Sequence, residues 1–166
     1  MRSTGEVLGL AETNGEAFFK AEEAAGNLLP MEGTVLISVN QNDKPEAAEI
    51  ARAFTDAGFS IDSTGRTYEL ITEAGIPAEK VKKLYEGRPN ILDLATNGKL
   101  QIIVNSPAEK NEVHDDSYLR KAAVKNKIAY VTTMAAARAA AEGIKAVKEK
   151  EEKEPLSLQE WHKKIQ

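Results

Sequence analysis

The stretch GTVLISVNQNDKPEAAEIARAFTDAG, residues 33–58, holds in one run the unit from which the fold is read. GTVLISV (33–39) is an apolar, β-branched segment of the kind found in a strand buried on both faces. NQNDK then supplies turn and cap residues. From Pro45 onward apolar positions recur at helical spacing until Gly58, a C-terminal stop. The unit is strand, loop, helix, and strands buried on both faces belong to parallel sheets.

Working outward, the same unit recurs. FSIDS (59–63) reads as a second strand, STGRT (63–67) as a turn, and YELITEAG (68–75) as a short helix closed by Gly75. After a linker, ILDLATNGK (91–99) reads as a helix stopped by Gly98 and LQIIVN (100–105) as a third buried strand. DDSYLRKAAVKNK (115–127) is helical, IAYVTT (128–133) a fourth strand, and MAAARAAAEGIKAVKEK (134–150) a long alanine-rich helix. This alternation predicts an α/β fold, a mainly parallel central sheet with helices on both faces, in three layers. Residues 1–31 differ, with an alanine-rich helical run GEAFFKAEEAAGNLL (15–29) before Pro30, and the domain proper is expected to begin after them. EKEEKEP (149–155) is a charged linker, and SLQEWHKKIQ (157–166) a terminal helix with Ser157 as N-cap and Glu160 three residues on. Leu158 and Trp161 are expected to anchor it by packing.

Composition removes whole classes of function. At 166 residues the chain suits one domain, and 42% apolar against 29% charged residues is ordinary for a protein with a packed core. The absence of cysteine excludes disulfides, thiolate nucleophiles and cysteine-bound zinc. Two histidines, His114 and His162, lie far apart, which argues against a histidine-rich metal site. A net charge of −4 repels polyanions, so nucleic acid is not an expected partner. Neither a membrane span nor a signal peptide is indicated, and the expected location is the cytoplasm.

In open parallel sheets, ligands bind beyond the C-terminal ends of the strands. That rule selects Ser38, Asn40, Asn42 and Lys44 after the first strand and Ser63, Thr64, Arg66 and Thr67 after the second. Asn105 and Ser106 follow the third, Thr132 and Thr133 the fourth. Hydroxyls, amides and cations gathered at helix N-termini make an anion site, because phosphate accepts from backbone N–H groups and is neutralised by lysine or arginine. Ser, Thr and Asn are also the preferred helix N-caps, so capping accounts for part of this set in any α/β protein. Lys44 and Arg66 serve neither cap nor core, and the convergence of the set points to a phosphate-bearing small molecule. Asp62, Asp115 and Asp116 lack a nucleophile or paired base and are read as caps and turn acceptors. Neither a Walker-type phosphate loop nor a dinucleotide glycine fingerprint occurs.

Four separated segments then match one family in order. MRSTGEVLG (1–9), GTVLISVNQNDK (33–44), EGRP with NILD (86–93) and LSLQEWH (156–162) resemble the C-terminal end of the large subunit of carbamoyl phosphate synthetase. The resemblance implies a tail from the second ATP-grasp synthetase unit over residues 1–31 and a methylglyoxal synthase-like, Rossmann-like allosteric domain over 32–166. It implies a regulatory segment without catalytic residues or metal, in an enzyme of pyrimidine and arginine biosynthesis. ATP and a divalent metal would belong to the synthetase units of that parent, a glutamine-hydrolysing ligase. The implied partners are a nucleotide monophosphate or amino-acid effector, the synthetase domains of the same subunit and the small glutaminase subunit. Effectors in the family are UMP or IMP, with ornithine in some and N-acetylglutamate in ureotelic animals.

Matched motifs place effector contacts at Ser38 and Lys44 in SVNQNDK, Thr64 and Thr67 in STGRT, Lys83 in VKKLYEGRP, and Asn105 in VNSP. Tyr130 and Thr132 in AYVTT correspond to ornithine-associated positions. Two departures stand out. STGRT moves glycine one place earlier than the usual Thr-x-Gly-Thr and puts Arg66 where glycine is common, so Arg66 either crowds a phosphate or adds a contact to it. SPAEK (106–110) lacks a glycine often found after Asn105. Two rival functions remain: a methylglyoxal synthase-like phosphate lyase, whose His-Asp-x-Cys-Lys signature is replaced here by NQNDK, and a docking or oligomerisation module without a small ligand.

Overall fold

The computed structural model describes residues 4–106, 113–149 and 156–164. Five strands, β1 (Thr34–Ser38), β2 (Ser60–Thr64), β3 (Glu79–Val81), β4 (Ile102–Asn105) and β5 (Ala129–Val131), form one sheet in the order β3-β2-β1-β4-β5. Every pairing is parallel. The helices are α1 (Asn14–Ala24), α2 (Lys44–Asp56), α3 (Gly65–Glu73), α4 (Ile91–Thr96), α5 (Val113–Lys125), α6 (Met134–Glu149) and α7 (Leu158–Lys164), with a short 3-10 turn at Leu84–Glu86. The α/β reading therefore holds, with one strand more than the sequence pattern predicts. β3 was hidden in the linker because its Glu79-Lys80-Val81 is short, charged and at the sheet edge, without the apolar run of a central strand.

Period-two alternation along the strands divides the core. Val35, Ile37, Ile61, Ile102 and Val104 face one way and pack with Ile50, Phe54, Ile71 and Ile144 of α2, α3 and α6. Leu36 and Ile103 face the other way, against Ile91, Ala95, Leu119 and Ala123 of α4 and α5. Phe54 is fully buried and meets Phe59 edge to face, ring centroids 5.9 Å apart.

Chain order runs outward from β1 through β2 to β3, then crosses to β4 and β5 on the other side. The direction of winding thus reverses at β1 and β4, and the loops that leave their C-terminal ends diverge to open a crevice. α1 lies outside α6 as an extra layer, with Phe18 and Phe19 packed toward the core. The expected Ser157 cap forms: its Oγ accepts from the Glu160 amide at 3.3 Å, and Glu160 Oε2 accepts from the Ser157 amide at 2.7 Å. Trp161 is partly buried beneath the Lys20 and Lys164 ammonium groups, but Leu158 is exposed and anchors nothing. The linker over 150–155 and the 107–110 part of SPAEK lie outside the described residues.

Candidate functional site

At the crevice, side-chain alternation puts three polar residues in one row on the face that α4 and α5 cover. Ser38 is in register with Asn105, and its hydroxyl is 2.8 Å from that of Thr64. Thr64 and Asn105 are 2% and 6% exposed, so this row closes the apolar face of the sheet with hydrogen-bonding groups. Tyr130, paired with Ile103 one step lower, reaches up so that its hydroxyl accepts from Asn105 Nδ2 at 2.8 Å. The Arg120 guanidinium lies 5.5 Å above the Tyr130 ring. Thr132 follows β5 directly, and Thr133 Oγ1 accepts from the Ala136 amide to cap α6. On the opposite face, Ser63 is spoken for: its hydroxyl donates to the Ile37 carbonyl at 2.7 Å.

α3 starts without a loop, straight from β2. Thr64 occupies the N-cap position, yet its hydroxyl is engaged with Ser38 and makes no cap bond, and the first turn of the helix carries no acidic residue. The leading amides of α3 therefore lack the side-chain acceptor that most helices provide. Gly65, at φ +48°, makes this abrupt entry without steric cost. That explains the early glycine of STGRT: the left-handed residue here is 65, and Arg66 sits in ordinary helix. Thr67, in the same first turn, is 2% exposed and points inward. Lys83 arrives from the segment after β3, and its Cε lies within 3.8 Å of where a Gly65 Cβ would stand. A lysine stem is thus set beside the positive end of α3, an arrangement suited to an anion.

Other sequence candidates take different places. Arg66 turns along the exposed flank of α3, where its guanidinium donates to Glu69 at 2.7 Å and Glu73 at 3.2 Å. Glu69 is held below the usual carboxylate range by that bond. Lys44 opens α2 and donates to Gln41 Oε1 at 2.6 Å. Asn40 builds the preceding turn: its Oδ1 accepts from the Asn42 and Asp43 amides at 2.8 and 3.1 Å, and its own amide donates to Ser106 Oγ at 2.9 Å. Asp115 and Asp116 fall in α5, where only the backbone is described. Asp62 is neither cap nor turn acceptor. It lies within β2 and is 8% exposed, and burial together with the neighbouring Glu79 raises its carboxyl to about 6. Alternation along FSIDS could have revealed it, since Asp62 shares the face of Ser60 and Thr64 rather than ending the strand.

Among the described residues no group of three or more metal-binding side chains gathers, and no helix is long and apolar enough to cross a membrane.

Comparison with known proteins decides the family: residues 46–132 match the MGS-like domain. The chain belongs to the MGS-like domain family. The chain is 48% identical over 164 residues to the carbamoyl phosphate synthase large chain of Gemmatimonas aurantiaca, an alignment that covers 98% of this chain and 15% of that one. It is 45% identical over 166 residues to the large chain of Methanothrix thermoacetophila, covering 99% and 15%. A separate C-terminal section of the large chain from Methanopyrus kandleri is 48% identical over 151 residues, covering 90% of this chain and 28% of that one. The resemblance read from four short segments thus extends over nearly all of the chain, which spans about 15% of the first full-length relatives it matches.

Proposed function

We propose that this MGS-like domain is the regulatory part of a carbamoyl phosphate synthase large chain and binds a phosphate-bearing effector such as UMP or IMP. The observation that carries the reading is the α3 N-terminus, whose amides lack a side-chain acceptor while the Lys83 stem stands beside Gly65. In this proposal the phosphate accepts from those amides and from the Thr67 hydroxyl, Lys83 neutralises it, and the row of Thr64, Ser38 and Asn105 takes the sugar or base. Lys44 contributes charge from the first turn of α2. Tyr130 and Thr132, at the β5 end, would meet an ornithine-type effector together with groups from the synthetase domains.

The consequence is linkage rather than chemistry. A ligand that prefers one state of the whole enzyme shifts the equilibrium by its differential affinity, a coupling of about 1–3 kcal/mol. Synthetase activity, glutaminase partnership and a cytoplasmic setting in pyrimidine and arginine biosynthesis belong to the proposed parent.

Calorimetric titration of the 166-residue chain with UMP, IMP, ornithine and N-acetylglutamate tests this. One nucleotide is expected to bind saturably, and Lys83→Ala and Thr64→Ala are each expected to weaken it about tenfold, as loss of a hydrogen bond to a charged group does. Arg66→Ala is expected to change affinity by less than about twofold, because its guanidinium is committed to exposed glutamates. Absence of saturable heat from both nucleotides would overturn the reading.

A further inference from the structure

A cleft of about 700 Å³ opens at the other edge of the sheet, over β2 and β3. Its size lies within the usual range for small-molecule sites. β3 pairs only with Asp62–Thr64, so the N-terminal half of β2 has no neighbour on this side, and Ser60 and Pro77 line the gap. Leu94 of α4 forms part of the wall.

Asp62 also lines this cleft. It is more than nine-tenths buried, and its carboxylate has no hydrogen bond and no ion pair among the described residues. No fully buried side-chain oxygen or nitrogen in the described structure lacks a partner, so the Asp62 oxygens keep their contact with solvent, and the cleft is where they can do so. Glu79 stands beside it in register on β3. The same cleft is lined by Lys99, which draws the Asp62 carboxyl down by less than burial and Glu79 raise it, and by two further lysines. Those two are engaged elsewhere: Lys80 lies 5.5 Å from the Tyr68 ring, and Lys82 donates to the Arg88 carbonyl. Lysines thus outnumber the two carboxylates along the lining, but among the described residues none of them lies within ion-pair distance of Asp62.

We propose that this cleft is a second binding site, for a small organic cation whose ammonium or guanidinium group docks against Asp62 and Glu79 while an aliphatic stem lies along Leu94 and Pro77. Two carboxylates and an apolar wall fit such a group better than a metal ion, which needs more oxygen ligands. The site is distinct from the α3 terminus: Asp62 lies two residues before Thr64, one step down the same face.

The test is an amide-detected NMR titration of the 166-residue chain with butylguanidinium, beside butanol as a neutral control. Near pH 8, saturable shifts are expected at Ser60–Asp62, Glu79–Val81 and Lys99 with butylguanidinium and none with butanol. Near pH 5 affinity should fall about tenfold, because a carboxyl that titrates at about 6 is then mostly protonated. Asp62→Asn should abolish the shifts and Glu79→Gln should weaken them, while Thr64→Ala should leave them intact, separating this site from the effector site. No saturation by about 20 mM near pH 8, or equal binding by Asp62→Asn, overturns the proposal. So does a result in which the probe fails but Asp62→Asn weakens association with the rest of a large chain, which would make the cleft a socket for a basic side chain of a neighbouring domain.

Discussion

Asp62→Asn is expected to stabilise the folded chain by about 2–3 kcal/mol near pH 8 and by less than about 1 kcal/mol near pH 4. The cause is a carboxyl held inside the sheet without a hydrogen bond, where burial and Glu79 raise it from 3.8 to about 6 against the weaker pull of Lys99. A raised carboxyl binds its proton more tightly in the fold than in the unfolded chain. Its contribution to stability is therefore most favourable below 3.8, falls as pH rises from there to about 6, and is a full cost above that. The gap between the two values corresponds to about 3 kcal/mol at about 1.4 kcal/mol per pH unit. Asparagine keeps the shape and removes the charge. Urea unfolding of both chains at the two pH values measures the difference. An equal gain at both, or a loss near pH 8, would mean that the carboxylate is held by a favourable contact. A residue that destabilises its own fold is what a binding site retains when a ligand offsets the cost, which is why the same substitution appears in the titration of the cleft.

How far the sequence disclosed this molecule depends on what each residue has to do. Central strands β1 and β4 were legible because they are buried on both faces and carry apolar runs, Val35–Ile37 and Ile102–Val104, and β2 because it repeats the strand-turn-helix unit beside them, whereas β3 carries one partly buried residue in three and has no such constraint. Helix ends were legible where capping chemistry is local, as at Ser157 with Glu160. The crevice was legible in outline, since the rule for parallel sheets selected Ser38, Thr64 and Asn105 and register placed them in one row. Three side chains take roles other than those the strand-end rule assigns, because a nearer or buried environment competes for them. Arg66 turns to Glu69 and Glu73 instead of the helix terminus, Asn40 is consumed by its own turn, and Asp62 faces a cleft whose other wall comes from residues 77–99. The role of α1 was equally hidden, because two glycines more than a hundred residues apart decide it.

Those glycines are Gly15 in α1 and Gly143 in α6, where the two helix backbones meet. A Cβ on Gly143 would fall against the Gly15 carbonyl and within 3.0 Å of Phe19 Cβ, and one on Gly15 would stand 2.7 Å from Glu142 Cβ. The three nearest atoms that a Gly143 Cβ would meet all belong to α1, so Gly143→Leu acts first on this contact. Overpacking against backbone costs about 1–3 kcal/mol or more, since neither helix can yield without shifting as a body. The expected result is a loss of about 3 kcal/mol with α1 released: amides of Asn14–Ala24 exchange rapidly while those of β1 and β4 stay protected. In a chain that starts at Leu28 the same substitution should cost nothing, and should gain up to about 1 kcal/mol from the better helix propensity of leucine over glycine. Equal destabilisation in the long and short chains would refute the contact as the cause. The outcome bears on regulation because α6 begins at Met134, two residues after Thr132 at the crevice, and carries α1 on its outer side. Under the proposed function α1 leads back toward the synthetase unit, so releasing it should leave nucleotide affinity of the domain intact while uncoupling that binding from a full-length enzyme.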